Sequence, residues 1–355
     1  MMKVLHCIFS LKGGGAERQL LILALQSQNC GIESAIFCVS DDAYDDTIDH
    51  LKIYKPSSLG PRTKLRLFFG IKSAIRDFQP DVVHAWLPPI ITIPTLVAAK
   101  LEGIPCVTSY RNRMFFDTFL RRADFVFQFI FSKKIISNNP IDQSSPFFRW
   151  LYRVKDGSTI SNAMDLPAEY KGKALKVRNY RRLIFVGRLT RQKNLKVVIE
   201  AIAKLGASCE FRLDVFGAGE RENELKKLVD DLSLNGVIKF RGYVDNIYKE
   251  MSDGGILILP SLYEGMPNVL IEAMACGLPA LCADIPSVRF LLESGEEVIC
   301  FDPNDADSLV AILEKIQKSE IDLQRISEKG FNLSDKFDAN RMIENYSAVY
   351  GGIVD

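Results

Sequence analysis

Pro260-Ser261-Leu262-Tyr263-Glu264-Gly265-Met266-Pro267-Asn268-Val269-Leu270-Ile271-Glu272-Ala273-Met274-Ala275-Cys276-Gly277-Leu278-Pro279 is the stretch around which the chain is organised. The apolar run Gly255 to Leu259 before it ends at a proline and a polar turn. Pro267 suits the first position of a helix, where a missing N–H is no loss, and Gly277 suits the position just past the last. The stretch therefore reads as strand, loop and short helix. Glu264 lies in the loop and Glu272 two turns into the helix, so the carboxylates reach the helix N-terminus from different directions. Backbone N–H groups and the helix dipole favour an anionic ligand there, and the carboxylates can accept hydrogen bonds from sugar hydroxyls. Judged by spacing alone, a solvated helix residue and a turn residue are the better reading of the pair.

As a whole, the stretch resembles the signature of the family 4 glycosyltransferases: a glutamate, seven residues and a second glutamate in a frame E-G-x-P-x-x-x-x-E-A-M-A-x-G-x-P. A second motif lies upstream. The strand Arg182 to Val186 runs into Gly187-Arg188-Leu189, then Gln192-Lys193-Asn194-Leu195 and a helix to Leu205. Arg188 at a strand end and Lys193 at a helix entry suit a diphosphate gripped by a bidentate guanidinium and an ammonium; the plain alternative is two surface cations. This G-R-L with its following lysine also resembles the family, in the expected order and distance. Ile160-Ser161-Asn162-Ala163-Met164-Asp165 resembles the N-G-I-D turn that closes the family's first domain, with Ala163 in place of glycine.

Length and composition fit this. At 355 residues, 47% hydrophobic and 25% charged, the chain suits a globular protein of two domains. The net charge of +1 points to neither nucleic acid nor an acidic tail, but it is unevenly spread: residues 1 to 160 hold 20 Lys+Arg against 14 Asp+Glu, the remainder 25 against 30. The basic half is the one to meet an anionic surface. The eight cysteines contain no Cys-x-x-Cys pair, and Cys7, Cys38, Cys106 and Cys282 sit in apolar runs, as reduced core residues do. The three histidines, His6, His50 and His84, supply no zinc cluster. The apolar segment after Met1-Met2-Lys3 runs into Gly13 to Gly15 without a cleavage site, and no run approaches the roughly 20 apolar residues that span a bilayer.

The first domain opens with strand (Val4 to Phe9), glycine turn (Gly13 to Gly15), helix and second strand. Such a turn lets the backbone approach a phosphate or sugar, and plain tight turning explains it equally well. Asp41 and Asp42 stand where a dinucleotide-binding acid would, but Arg18 occupies the third glycine position of that fingerprint. Residues 62 to 78 pattern as a basic amphipathic helix, with a solvated face as the default and membrane contact as the alternative. Asp81 to Trp86 reads as a parallel strand that places His84 at its carboxyl end, equally a structural or a functional position. Phe115 to Phe131 and Phe147 to Arg153 mix aromatics with arginines, as cores do and as interfacial membrane contacts also do. Asp305 reads as a helix N-cap with Asp307 in the first turn, and no metal is assigned to them.

The resemblance implies an α/β protein of GT-B architecture: two Rossmann-like, doubly wound parallel-sheet domains facing across a cleft. The expected division is residues 1–165, a linker at 166–180, a donor domain at 181–336, and a helix at 337–355 returning to the first domain. It further implies a retaining, metal-independent hexosyltransferase with a nucleotide-sugar (UDP- or GDP-) as co-substrate and no other cofactor. Carried over, Arg188 and Lys193 hold the diphosphate, Glu272 binds the ribose, and Glu264 contacts the sugar. The backbone of Gly265, Met266, Pro267 and Asn268 faces sugar and phosphate, Gly14 and Gly15 line the first-domain side, and His84 lies on the acceptor side. The basic, aromatic first half suggests a lipid-linked or oligosaccharide acceptor and peripheral contact with the inner face of the cytoplasmic membrane, as in O-antigen, capsule or exopolysaccharide assembly. Two rivals stay open: an NAD-type oxidoreductase using Gly13 to Gly15 and Asp41, and a non-catalytic nucleotide-sugar-binding protein.

Overall fold

Strand β1 (Met2–Ile8) sits where the order of a seven-stranded parallel sheet reverses, β3-β2-β1-β4-β5-β6-β7. The computed structural model describes every residue except 12–14, 41–47, 49, 57–62, 87–88, 112–118, 139–145, 177–178, 293–295 and 355, and gives 119–122 and 146–148 as backbone. The other strands of this sheet are β2 (Ile32–Cys38), β3 (Lys52–Tyr54), β4 (Val82–Trp86), β5 (Cys106–Tyr110), β6 (Lys134–Ser137) and β7 (Ser158–Thr159). Between them run α1 (Gly15–Gln26), α2 (Thr63–Phe78), α3 (Pro89–Glu102), α4 (Phe119–Phe131) and α5 (Pro146–Val154). Both faces of the sheet are covered, so its strands are buried nearly end to end. The two-residue side-chain period divides β1: Val4 and Ile8 pack with Leu20 and Leu23 of α1, while Leu5 and Cys7 pack with Leu67, Ile71 and Leu96 of α2 and α3.

A second parallel sheet has the order β10-β9-β8-β11-β12-β13. Its strands are β8 (Arg182–Val186), β9 (Arg212–Phe216), β10 (Ile238–Gly242), β11 (Ile256–Leu259), β12 (Ala280–Ala283) and β13 (Ile299–Phe301). Its helices are α6 (Leu195–Leu205), α7 (Glu222–Asp231), α8 (Ile247–Ser252), α9 (Asn268–Cys276), α10 (Pro286–Leu291), α11 (Ala306–Gln317) and α12 (Leu323–Ser334). Asp305 caps α11, its carboxylate accepting from the Asp307 N–H at 2.9 Å.

Contacts divide the chain into Met1–Asp165 with Phe337–Asp355, and Leu166–Lys336. Helix α13 (Ala339–Val354) therefore packs on the first sheet, where Tyr346 and Tyr350 are fully buried. Residues 166–180, a linker by sequence, are fastened to the second unit. Gly172 and Ala174 donate N–H groups to the carbonyls of Ala275 and Cys276, both at 2.8 Å, and Ala174 is buried. This contact explains why α9 ends in glycine. Gly277 has φ +87, and a Cβ there would stand 2.7 Å from the Leu175 nitrogen.

Candidate functional site

In the second unit the chain leaves β8 towards β9 on one side and later returns to β11 on the other. The crevice at the carboxyl ends of β8 and β11 is therefore a topological switch point, where open α/β sheets collect ligands. Three loops converge there: 187–194 after β8, 217–221 after β9 and 260–267 after β11. The first two are joined backbone to backbone, Gly187 N to Phe216 O at 3.0 Å, Leu189 N to Ala218 O at 2.9 Å and Arg221 N to Leu189 O at 3.0 Å. No side chain fits between them: a Cβ on Gly217, whose φ is +126, would lie 2.1 Å from the Gly187 carbonyl oxygen, and one on Gly219 would lie 2.5 Å from that of Leu189.

The first and third loops are joined by backbone and side chains together. Leu262 donates its N–H to the Gln192 carbonyl at 2.8 Å, and the Gln192 amide donates to the Tyr263 carbonyl at 2.8 Å. One residue further along each loop, Lys193 Nζ meets Glu264 Oε1 at 2.6 Å, with 17% and 9% of the two side chains exposed. The structure thus brings Lys193 and Glu264 into one ion pair, while Arg188, earlier in the same loop, is exposed.

Gly265, Met266 and Pro267 are buried and carry the chain into α9. Pro267 caps that helix without a side-chain hydrogen bond, so the partial positive charge of its first turn is presented by the segment that also carries Glu264. Asn268 opens the helix half-buried, and Glu272, in its second turn, is 8% exposed. Burial and then the charge of Glu272 push the Cys276 thiol up to about 12. Glu272 is thus held inside the unit and is no solvated helix residue.

In the first unit Gly15 starts α1 exposed, and Gly14, Gly13, Asp41 and Asp42 lie outside the described residues. His84, expected on the acceptor side, is fully buried. Its Nδ1 lies 2.7 Å from the Tyr350 hydroxyl on α13 and its Nε2 2.7 Å from the Ser109 hydroxyl on β5. Burial, with His6 and Arg111 nearby, holds its imidazole well below the ordinary histidine range. The acceptor-side placement is corrected accordingly, since a neutral ring with both nitrogens engaged and no surface joins β4 to α13. Arg111, just past β5, is also buried; its guanidinium lies 4.5 Å from the Trp86 ring and donates to Asn162 and to the Tyr346 hydroxyl. This polar cluster links residues more than 200 positions apart, and no local signal in the sequence points to it.

Among the described residues, no group of three or more His, Cys, Asp or Glu is gathered to hold a metal ion, and no helix is long and apolar enough to cross a membrane.

Residues 168–333 match the family described as glycosyl transferases group 1, and residues 13–142 match glycosyltransferase family 4. The lipopolysaccharide core biosynthesis glycosyltransferase LpsE of Rhizobium meliloti is 23% identical over 332 residues, 93% of each chain. The amylovoran biosynthesis glycosyltransferase AmsK of Erwinia amylovora is 34% identical over 152 residues, 40% of this chain and 37% of AmsK. Among solved structures, Anabaena HepE in complex with UDP and glucose superposes with a TM-score of 0.83 at 19% identity, over 99% of this chain and 100% of that one. That likeness establishes the fold.

Proposed function

Because the chain belongs to the group 1 glycosyltransferases of family 4, we propose that it moves a hexose from a UDP- or GDP-sugar to a hydroxyl of a lipid-linked saccharide in surface polysaccharide assembly. The observation that carries the donor half is the Lys193–Glu264 pair at the β8/β11 switch point. Arg188 and Lys193 take the diphosphate at the N-terminus of α9, Glu272 takes the ribose hydroxyls, and Glu264, once the diphosphate claims Lys193, turns to the sugar. HepE was crystallised with UDP and glucose, and LpsE and AmsK are named for lipopolysaccharide core and amylovoran synthesis, which supports this class of donor and product.

The chemistry follows from charge. As the bond from the sugar's anomeric carbon to the diphosphate breaks, negative charge grows on the leaving oxygen. Two fixed cations and a helix N-terminus stabilise it, so the proposed step requires no metal. The acceptor oxygen bonds to the anomeric carbon on the face the diphosphate leaves, and its proton passes to the departing phosphate oxygen, which retains configuration.

The reaction is placed at the inner face of the cytoplasmic membrane, peripherally. Supporting this, Phe69 on α2, Val126 and Ile130 on α4 and Trp150 on α5 are large apolar side chains left exposed in the basic first unit, and Trp150 stacks on Phe129 at 5.0 Å. The dinucleotide oxidoreductase reading gives way to the family membership. A thermal-shift panel of UDP-, GDP- and ADP-sugars with NAD tests the donor: one sugar nucleotide should raise the melting temperature and NAD should not. Stabilisation by NAD alone would overturn the proposal, and donor binding without transfer or hydrolysis would identify a nucleotide-sugar-binding protein.

A further inference from the structure

The first unit contains an apolar groove of about 350 Å³ between α2 and α3, apart from the residues assigned to the donor. One wall is Lys64, Leu65 and Phe68; the other is Pro89, Ile90, Ile93, Pro94 and Val97, residues at helical spacing on one face. Leu65 is 51% exposed, and Ile90, Ile93 and Val97 are half-buried, so this face is open to solvent. Soluble surfaces seldom leave such a concave apolar strip uncovered without a ligand for it.

Its position and charge identify the ligand. Helix α3 begins just beyond the carboxyl end of β4, and α2, which leads into the amino end of β4, begins at the same edge. The groove is built from the first turns of both, so it starts at the edge of the sheet where ligands collect. Further along, Glu102 ends α3 and takes Lys72 at 3.1 Å and Arg76 at 3.0 Å, so the cations at that end are already paired with a carboxylate. Lys64 stands at the other end. One apolar channel with a cation at its ligand-edge mouth matches a hydrocarbon chain that carries an anionic head.

We propose that this groove holds the hydrocarbon chain of the acceptor's lipid carrier, with the carrier's phosphate at Lys64. This rests on the reading of the acceptor as lipid-linked.

The test is calorimetric titration of the full chain with dodecyl phosphate below its micelle concentration, beside inorganic phosphate. Wild type should bind dodecyl phosphate at least tenfold more tightly than inorganic phosphate. Leu65→Glu, at an exposed position, and Ile93→Ser should each weaken it at least tenfold, while the far-UV spectrum and the melting curve of the full chain stay those of wild type and report an intact first unit. Equal affinity for the two phosphates, or variants that bind as wild type does, overturns the proposal. So does a variant that keeps dodecyl phosphate but loses phosphatidylglycerol vesicles, because the face would then be a membrane-contact surface. Loss of the groove with retained sugar-nucleotide binding leaves the donor reading standing; a wild-type chain that binds no sugar nucleotide removes that reading independently.

Discussion

Replacing Lys193 by methionine keeps its bulk and removes the charge that Glu264 holds at 2.6 Å. Two unit charges at that distance attract by roughly 6 kcal/mol at an effective dielectric near 20, most of which offsets their desolvation. Removing one partner of a fully buried pair costs about 3–5 kcal/mol. With 17% and 9% of the side chains exposed, solvent screening brings the expected loss to roughly 1–3 kcal/mol. For a unit of this size that lowers the melting temperature by about 2–4 °C per kcal/mol. The functional loss should be larger. A cation facing a leaving diphosphate acts where charge develops, so turnover should fall by about 10²–10³. Glu264→Gln is the counterpart. It frees Lys193, so UDP should bind as tightly as to wild type or more so, while transfer falls by about 10² because sugar contacts are lost. Calorimetric UDP titration and initial-rate kinetics on both variants separate the roles. Wild-type UDP affinity in Lys193→Met, or equal weakening of UDP in both, would refute the assignment.

Three further outcomes are expected. His6, pushed down to about 3, and His84 are kept neutral by burial, whereas burial raises the Asp124 carboxyl to about 7. As pH drops from about 6.5 towards 5 the unfolded chain takes up histidine protons that the folded chain lacks, while the folded chain keeps one aspartate proton that the unfolded chain releases; the two histidines outweigh the one carboxyl, so stability should fall. Urea midpoints should shift accordingly and more steeply in Asp124→Asn; midpoints equal at pH 5 and 6.5 would contradict this. Gly217→Ala forces a Cβ onto the Gly187 carbonyl and should destabilise by about 1–3 kcal/mol and weaken UDP at least tenfold, whereas Gly236→Ala, whose Cβ meets nothing within 4 Å, should do neither. His84→Phe strands the Tyr350 hydroxyl at about 1–3 kcal/mol, lowering the melting temperature with kcat/KM of the folded fraction nearly unchanged; an unchanged melting temperature with a hundredfold loss of activity would restore an acceptor-side role.

Backbone-determined features were the legible ones. Pro267 and Gly277 bracket α9, and β8 occupies Arg182–Val186 as its apolar pattern predicts. Glycine and proline restrict dihedral angles locally, so they carry the same meaning before and after folding. The segment 62–78 reads as a helix because its apolar period is regular. The short strands β3 and β6 are not legible, since three or four residues offer too little periodicity to distinguish a strand from a turn. The start of α3 at Pro89 is likewise hard to read from sequence, because a second proline, Pro94, stands inside the helix that the first one opens. In the site, Arg188, Lys193 and the two glutamates could be named from their frames, but the pairing of Lys193 with Glu264 across 71 positions could not. The glycines at 217 and 219 read as one more turn, because their need is set by the backbone of another loop. His84 stood out for its strand-end position, and its partner Tyr350 lies 266 residues away.

The placement of α13 gives the chain an unusual order of assembly during synthesis. Residues 166–336 form a continuous segment that can close its core as it leaves the ribosome, as domains generally do. The segment translated before it cannot, because Tyr346 and Tyr350 complete the packing around Trp86, Val4 and Ile8. A nascent chain shorter than residue 339 leaves that sheet face covered by α1 alone and the His84 ring one partner short. The first half to be made is therefore the last to be finished, and a pause anywhere between residue 166 and the final helix leaves it open to chaperones.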